Sequence, residues 1–229
     1  MLYHLDVEDM EPGHWIAYVR ELPGCFSSTR AQAEAISNAP SRIAAHFEWL
    51  ASHGRPAPQS AESIETQVAE VFRSFASKED PEYIVNALFE DDRYPLTKAD
   101  VEEGLWLLDR SQRDLMDVVS GLSPDQLTRS ISGEVNGSIA GVLLHVGIAE
   151  WWYFDRLAMS SERETLSADP FTRLEQVRSN TRAQLPKLVG DMRIVTLVGE
   201  QWSARKISRR AVWHERDHTQ QINAYRSLL

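Results

Sequence analysis

The chain has 229 residues, with 34 Asp or Glu against 24 Lys or Arg and a formal net charge of -10. Such a balance repels polyanions and argues against nucleic-acid binding, which needs a basic face to neutralise phosphates. Charged residues at 25% and apolar residues at 42% fit a folded protein of one large domain or two small ones. The single cysteine, Cys25, excludes an internal disulfide and fits a reducing compartment. The opening residues, Met1 to Trp15, carry acids where a secretory leader needs cations. The longest apolar stretch, Ile139 to Phe154, is interrupted by His145 and Glu150 and is too short and polar to span a bilayer. The expectation is a soluble cytoplasmic protein with no membrane segment.

In chain order, Tyr3 to Glu8 and Trp15 to Arg20 alternate with period two and predict paired strands, with Glu11-Pro12-Gly13-His14 as the turn. Leu22-Pro23-Gly24-Cys25 breaks the second run, and Phe26 opens a short third strand. Thr29 followed by Gln32 fits a capping box for a helix over Arg30 to Ser52, with Ala35, Ile36, Ala39, Ile43, Phe47 and Leu50 on one face. Pro40 inside that run predicts a kink or break at Ala39. His53-Gly54, with Pro56 and Pro58, stops the helix, and Ile64 to Val71 reads as a last strand. The expected order is β-β-β-α-β. This segment, with Val19-Arg20-Glu21-Leu22-Pro23-Gly24-Cys25-Phe26-Ser27, Thr29 and the following Ala- and Glu-rich helix, resembles the HicB-like, UPF0150 family of truncated RNase H-like domains over roughly residues 1–75. In antitoxin members such a domain meets a toxin partner and is joined to a separate DNA-binding segment. Here no helix-turn-helix or ribbon segment is evident.

Residues 76–96 read as a connector, with helix around Pro81 to Phe89. Beyond it, four helices are expected. Thr97 and Asp100 form a capping box for the first, which runs to Ser120 with Val101, Leu105, Leu108, Leu115 and Val119 on its apolar face. Ser138 to Leu157 is apolar nearly all round, as a buried helix would be. Asp169-Pro170 caps and starts a third, carrying Phe171, Leu174, Val177 and Leu185, and Ser203 opens the last. Arg193 to Val198 is the one strand-like run among them. A four-helix bundle buries four such faces.

Three of the seven histidines stand out. His214 and His218, four apart on the last helix, share a face with Cβ atoms roughly 5–6 Å apart, a spacing at which two imidazoles can converge on one metal. His145 sits mid-way along the apolar helix, where an unpartnered ring is costly. If the two helices meet in a bundle, three imidazoles converge and leave a fourth position open, the layout of a catalytic site. A hydrogen-bonded core histidine and a solvated pair explain the same residues, and both readings stand at this point. His214-Glu215-Arg216-Asp217-His218 also matches H-E-x-x-H. A zincin needs a further ligand downstream, and the eleven residues after His218 contain no His, Asp, Glu or Cys.

Ser138 to His145 with Glu150, and Ser208 to Ile222 with its H-x-x-x-H, resemble the DinB-like superfamily of metal-binding four-helix bundles over roughly residues 97–229. The resemblance implies an all-α up-down four-helix bundle after the α+β domain, a chain mainly α overall, and metal ligands at His145, His214 and His218. It also implies activities among thiol-dependent S-transferases, isomerases and metal-dependent hydrolases. Zinc or nickel suits imidazole ligands, with a low-molecular-weight thiol as co-substrate in the transferases.

Glu215 is the candidate base, with Asp217 as a neighbour that either orients a ring or balances surface charge. Arg210, one turn before His214, is the candidate holder of an anionic substrate group; Arg205, Lys206 and Arg209 read as a basic helical stretch. Trp151, Trp152, Tyr153 and Trp213 read as core, and Cys25 as a buried small residue. Two functions fit. One is a metal-dependent small-molecule S-transferase or hydrolase, with the N-terminal domain for assembly or regulation. The other is a non-catalytic binding or regulatory protein whose HicB-like domain meets a partner. A homodimer is expected, because bundles and truncated sheets leave faces and edges uncovered.

Overall fold

The structure is a computed structural model that describes residues 1–11, 13–56 and 63–227. Pro12 and Pro58, two of the expected turn residues, lie outside them. The chain is mixed α+β and divides into two compact units, Met1–Tyr94 with Ile194–Trp202, and Pro95–Arg193 with Ser203–Leu229. Among the described residues no helix is long and apolar enough to cross a membrane.

The first unit is built on strands β1 (Leu2–Glu11), β2 (His14–Val19) and β3 (Phe26–Thr29), helix α1 (Gln32–Ser52) and strand β4 (Glu65–Arg73). The sheet order is β3-β2-β1-β4. β2 runs antiparallel to β1, with Leu5 opposite Val19, and β4 runs parallel to β1, with Leu5 opposite Val68. A parallel neighbour requires a crossover, and α1 supplies it. Because side chains alternate along a strand, Tyr3, Leu5 and Val7 share one face with Trp15, Ala17 and Val19. They pack on Ala35, Ala39 and Ile43 of α1, with Cys25 in the same core.

Three local expectations are corrected here. Thr29 belongs to β3 and gives its hydroxyl proton to the Ala31 carbonyl at 2.9 Å, so α1 starts after Ala31 with no side-chain cap. The expected break at Ala39 does not occur: the helix continues through Pro40, with Ala35, Ala39 and Ile43 buried on either side of it. No helix forms around Pro81 to Phe89. Instead β5 (Phe75–Ala76) pairs antiparallel with β6 (Ile84–Val85), and residues 76–94 group with the first unit.

Glu8 accounts for that placement. It points to the sheet face away from α1 and is fully buried, accepting hydrogen bonds from the Tyr18 hydroxyl at 2.8 Å and the Ala87 backbone N–H at 2.9 Å. A buried carboxylate needs such donors. The Phe89 ring lies edge-on to Tyr18 at 6.1 Å. A hairpin completes this unit: β7 (Val195–Leu197), shorter than the strand expected there, and β8 (Glu200–Trp202), which the sequence did not announce. Its turn takes Val198 and Gly199 at φ of 53° and 78°, and Glu200 accepts from the Tyr83 hydroxyl at 2.5 Å.

The second unit holds helices α2 (Lys98–Val119), α3 (Pro124–Thr128), α4 (Ile139–Asp155), α5 (Pro170–Gln184) and α6 (Ala204–Arg226). The four long ones begin where capping chemistry places them. Thr97 and Asp100 satisfy each other's backbone N–H groups, and Ser138, Asp169 and Ser203 each accept a backbone N–H from the first turn they cap. Short α3 carries a capping box of its own, Ser123 with Gln126. Leu115 and Val119 of α2, Ile139, Val142, Leu143 and Val146 of α4, Leu174 of α5 and Ile222 of α6 form one core. Phe171, expected in that interior, is 39% exposed.

One buried cation touches all four long helices. Arg178 of α5 donates two 3.0 Å bonds to Glu150 of α4 and a 2.7 Å bond to Glu215 of α6, and it also donates to the Leu108 carbonyl of α2. Thr181 adds its hydroxyl to Glu150 at 2.5 Å. Arg178→Met would leave two buried carboxylates without their cation, a loss on the order of 3–5 kcal/mol. The surface pair Arg182–Asp109, whose side chains are 43% and 44% exposed, is the control: Arg182→Met should cost under about 1 kcal/mol. Urea midpoints of the two variants measure the contrast, and equal losses would contradict it.

Candidate metal centre

His145 comes from the middle of α4, and His214 and His218 come from successive turns of α6. The Nε2 atoms of His214 and His145 are 3.0 Å apart, and those of His218 and His214 are 3.1 Å apart. The three side chains offer ligand atoms all within 4.8 Å of one another, so the group can hold a metal ion. The donor set fits one. Ligands each about 2.0–2.1 Å from a tetrahedral ion stand about 3.3–3.4 Å apart, close to the 3.0 and 3.1 Å of the two adjacent pairs here. A proton on one Nε2 satisfies chiefly one neighbour, whereas a shared cation satisfies three lone pairs together.

Electrostatics favours the ligand form. His214 is buried, and burial, with the nearby charges of His218, His145 and Arg210, holds its ring well below the ordinary imidazole range. A metal ligand must be neutral, and this one is neutral near pH 7. His218 is oriented from behind, its Nδ1 lying 2.5 Å from Gln221 Oε1.

Arg210 is buried next to this group. Its guanidinium lies 4.9 Å from the Trp213 ring centroid and 5.8 Å from that of Tyr153, whose ring stands edge-on to His214 at 6.0 Å. Glu215 is placed otherwise. It follows His214 in sequence but faces Arg178, and it does not belong to the histidine group. Burial pushes its carboxyl up, to about 7, with Arg178 pulling down and Glu150 pushing further up. Arg205 bonds Asp100 and the Pro95 carbonyl rather than the site. Trp151, Tyr153 and Trp213 are buried as expected of core, whereas Trp152 is only half-buried, and Trp151 donates its indole N–H to the Ser161 carbonyl. Cys25 is buried in the other unit's core.

Sequence reading missed Arg178, Gln221, Glu134 and Tyr225. Gln221 had a signal, lying seven residues after His214 and three after His218 on one helical face. Glu134 had none, since it meets Gln221 across 87 residues of chain. Burial alone would raise its carboxyl, but hydrogen bonds from Tyr225 and Asn136 outweigh this and hold it below the ordinary range.

The comparisons with known proteins reach the other unit. A UPF0150 protein of Thermoplasma acidophilum is 34% identical over 65 residues, which are 94% of its own length and 28% of this chain. The likeness supports the N-terminal, HicB-like assignment. No family model matches the chain, and no solved structure matches it.

The depressed His214 ring sets a pH dependence for the metal-free protein. Below about pH 6.5 the unfolded chain takes up a proton that folded His214 refuses, so stability falls with pH until the folded ring is also protonated. Urea unfolding at pH 7.5 and pH 5.5 should show this loss, and His214→Gln should flatten it. An unchanged slope in the variant would assign the loss to other groups.

Proposed function

Through its N-terminal unit the chain belongs to the UPF0150 family, and we propose that the helical unit joined to it is a DinB-like, metal-dependent enzyme. In this reading a homodimeric, cytoplasmic protein acts on a small-molecule substrate as a thiol S-transferase or hydrolase. The carrying observation is the convergence of the His145, His214 and His218 Nε2 atoms. Zinc or nickel fits the three imidazoles, and such an ion supplies Lewis acidity to a water or thiol.

The chain's own residues do the rest. Arg210, kept dry by Tyr153 and Trp213, offers a guanidinium to an anionic substrate group. Glu215, bound to Arg178, fixes the turn of α6 that carries His214, which makes it a positioning residue in this account. A second reading has an observation of its own. The matched segment makes up nearly all of the archaeal relative, so it is a module that stands without a helical unit. In that reading the N-terminal unit docks a partner and the histidine site is only a structural one.

The test starts from protein purified without a histidine tag. Elemental analysis should find about one divalent metal per chain, lost in the His214→Ala, His218→Ala double variant. Occupancy unchanged in that variant would refute the site. Light scattering on the same preparation should report a dimer, and a monomer would refute that part. The loaded protein should then turn over in a panel of thiol-transfer and ester-hydrolysis assays and stop when chelated. A loaded protein without turnover would favour the second reading.

A further inference from the structure

We infer that Glu134, acting through Gln221, is a positioning residue that sets which ring nitrogen of His218 carries the proton, and so presents Nε2 as a ligand. The inference rests on the metal reading above and adds a residue outside the ligand set.

The argument follows hydrogen-bond polarity along a chain of contacts. Glu134 Oε2 accepts from Gln221 Nε2 at 2.9 Å and from the Tyr225 hydroxyl. A carboxylate only accepts, so the Gln221 amide must turn its NH2 toward Glu134. Its carbonyl oxygen is thereby turned the other way, to within 2.5 Å of His218 Nδ1. A carbonyl also only accepts, so Nδ1 carries the proton. In a neutral ring Nε2 then holds a lone pair, and Nε2 is the atom 3.1 Å from His214 Nε2. The carboxylate thus selects the tautomer of a ring it does not touch. Such outer partners of metal-bound imidazoles fix ring orientation and basicity.

Glu134 is itself held firmly. Its Oε1 accepts from the backbone N–H and the side-chain amide of Asn136, at 2.8 and 3.0 Å. Its backbone N–H donates to Ile131 and its carbonyl accepts from Gly137, closing the loop that leads into α4. That loop lies directly on the first turn of α4. A Cβ on Gly141 would stand 1.9 Å from the Asn136 carbonyl oxygen, so only glycine allows the approach. The loop delivering Glu134 therefore packs on the helix that carries His145.

The experiment uses the full chain and three variants: Glu134→Gln, Gln221→Met, and the exchange Glu134→Gln with Gln221→Glu. Nitrogen-15 NMR of the metal-free protein at pH 7.5 reads the His218 tautomer, and zinc affinity is read by competition with a chromophoric chelator. The wild type should show Nδ1–H. Glu134→Gln, nearly isosteric, frees the Gln221 amide to flip and should shift His218 toward Nε2–H. Gln221→Met should weaken zinc binding by about 10–100-fold. The exchange restores a donor at 134 and an acceptor at 221, and should return both readouts to within a few-fold of wild type, which mere loosening of the loop would not do. Nδ1–H in wild type and Glu134→Gln alike, or a shifted tautomer with unchanged zinc affinity, would overturn the inference and leave the metal site standing. A wild type that binds no zinc would overturn both.

Discussion

The helical unit depends on a buried guanidinium shared by two carboxylates. Arg178 is almost completely buried, and desolvating it is tolerable only because carboxyl oxygens of Glu150 and Glu215 and the Leu108 carbonyl accept its N–H groups. Hydrogen bonds to a planar fork are directional, so the arrangement sets how α4, α5 and α6 stand against one another. Glu215 is next to His214 and Glu150 is five residues past His145. Locking the two carboxylates onto one cation therefore fixes the two helices at the level where their imidazoles meet.

The first unit uses the same logic on a smaller scale. Its sheet has one apolar face covered by α1 and a second face carrying Asp6, Glu8 and Tyr18, all buried. The polar groups on that second face are matched individually. Asp6 takes a bidentate contact from Arg20 at 2.5 and 3.0 Å, and Glu8 takes Tyr18 and the Ala87 N–H. A sheet buried by apolar packing on one face and by specific polar contacts on the other accepts few alternative coverings. That specificity explains why a stretch with little regular structure, residues 86–94, has a defined place.

What could be read in the sequence was whatever depends on near neighbours. The caps at Thr97, Asp169 and Ser203 are contacts across three residues, and each starts its helix where expected. The His214–His218 pair is legible for the same reason, and His145 stood out because a polar ring in an apolar helix demands an explanation. The Ser123–Gln126 box was equally visible but went unread beside the longer helices. The pattern at Thr29 and Gln32 misled, because strand pairing of β3 with β2 claimed Thr29 before the helix could use it. Residues 76–96 read as connector because they are polar with little periodicity, and the contact that gives Ala87 its place, with Glu8, spans 79 residues. Arg178 reaches Glu150 and Glu215 across 28 and 37 residues, and Glu134 reaches Gln221 and Tyr225 across 87 and 91, so no local spacing announces these contacts.

The central claim is that three imidazoles from α4 and α6 hold one divalent ion. X-ray absorption at the zinc edge, on full-length protein loaded with one equivalent of zinc, tests it most directly. The account predicts about three imidazole nitrogens at roughly 2.0–2.1 Å, with the multiple-scattering pattern of the rings, and loss of that pattern in His145→Ala. A first shell containing sulfur at about 2.3 Å, or oxygen without imidazole scattering, would contradict it.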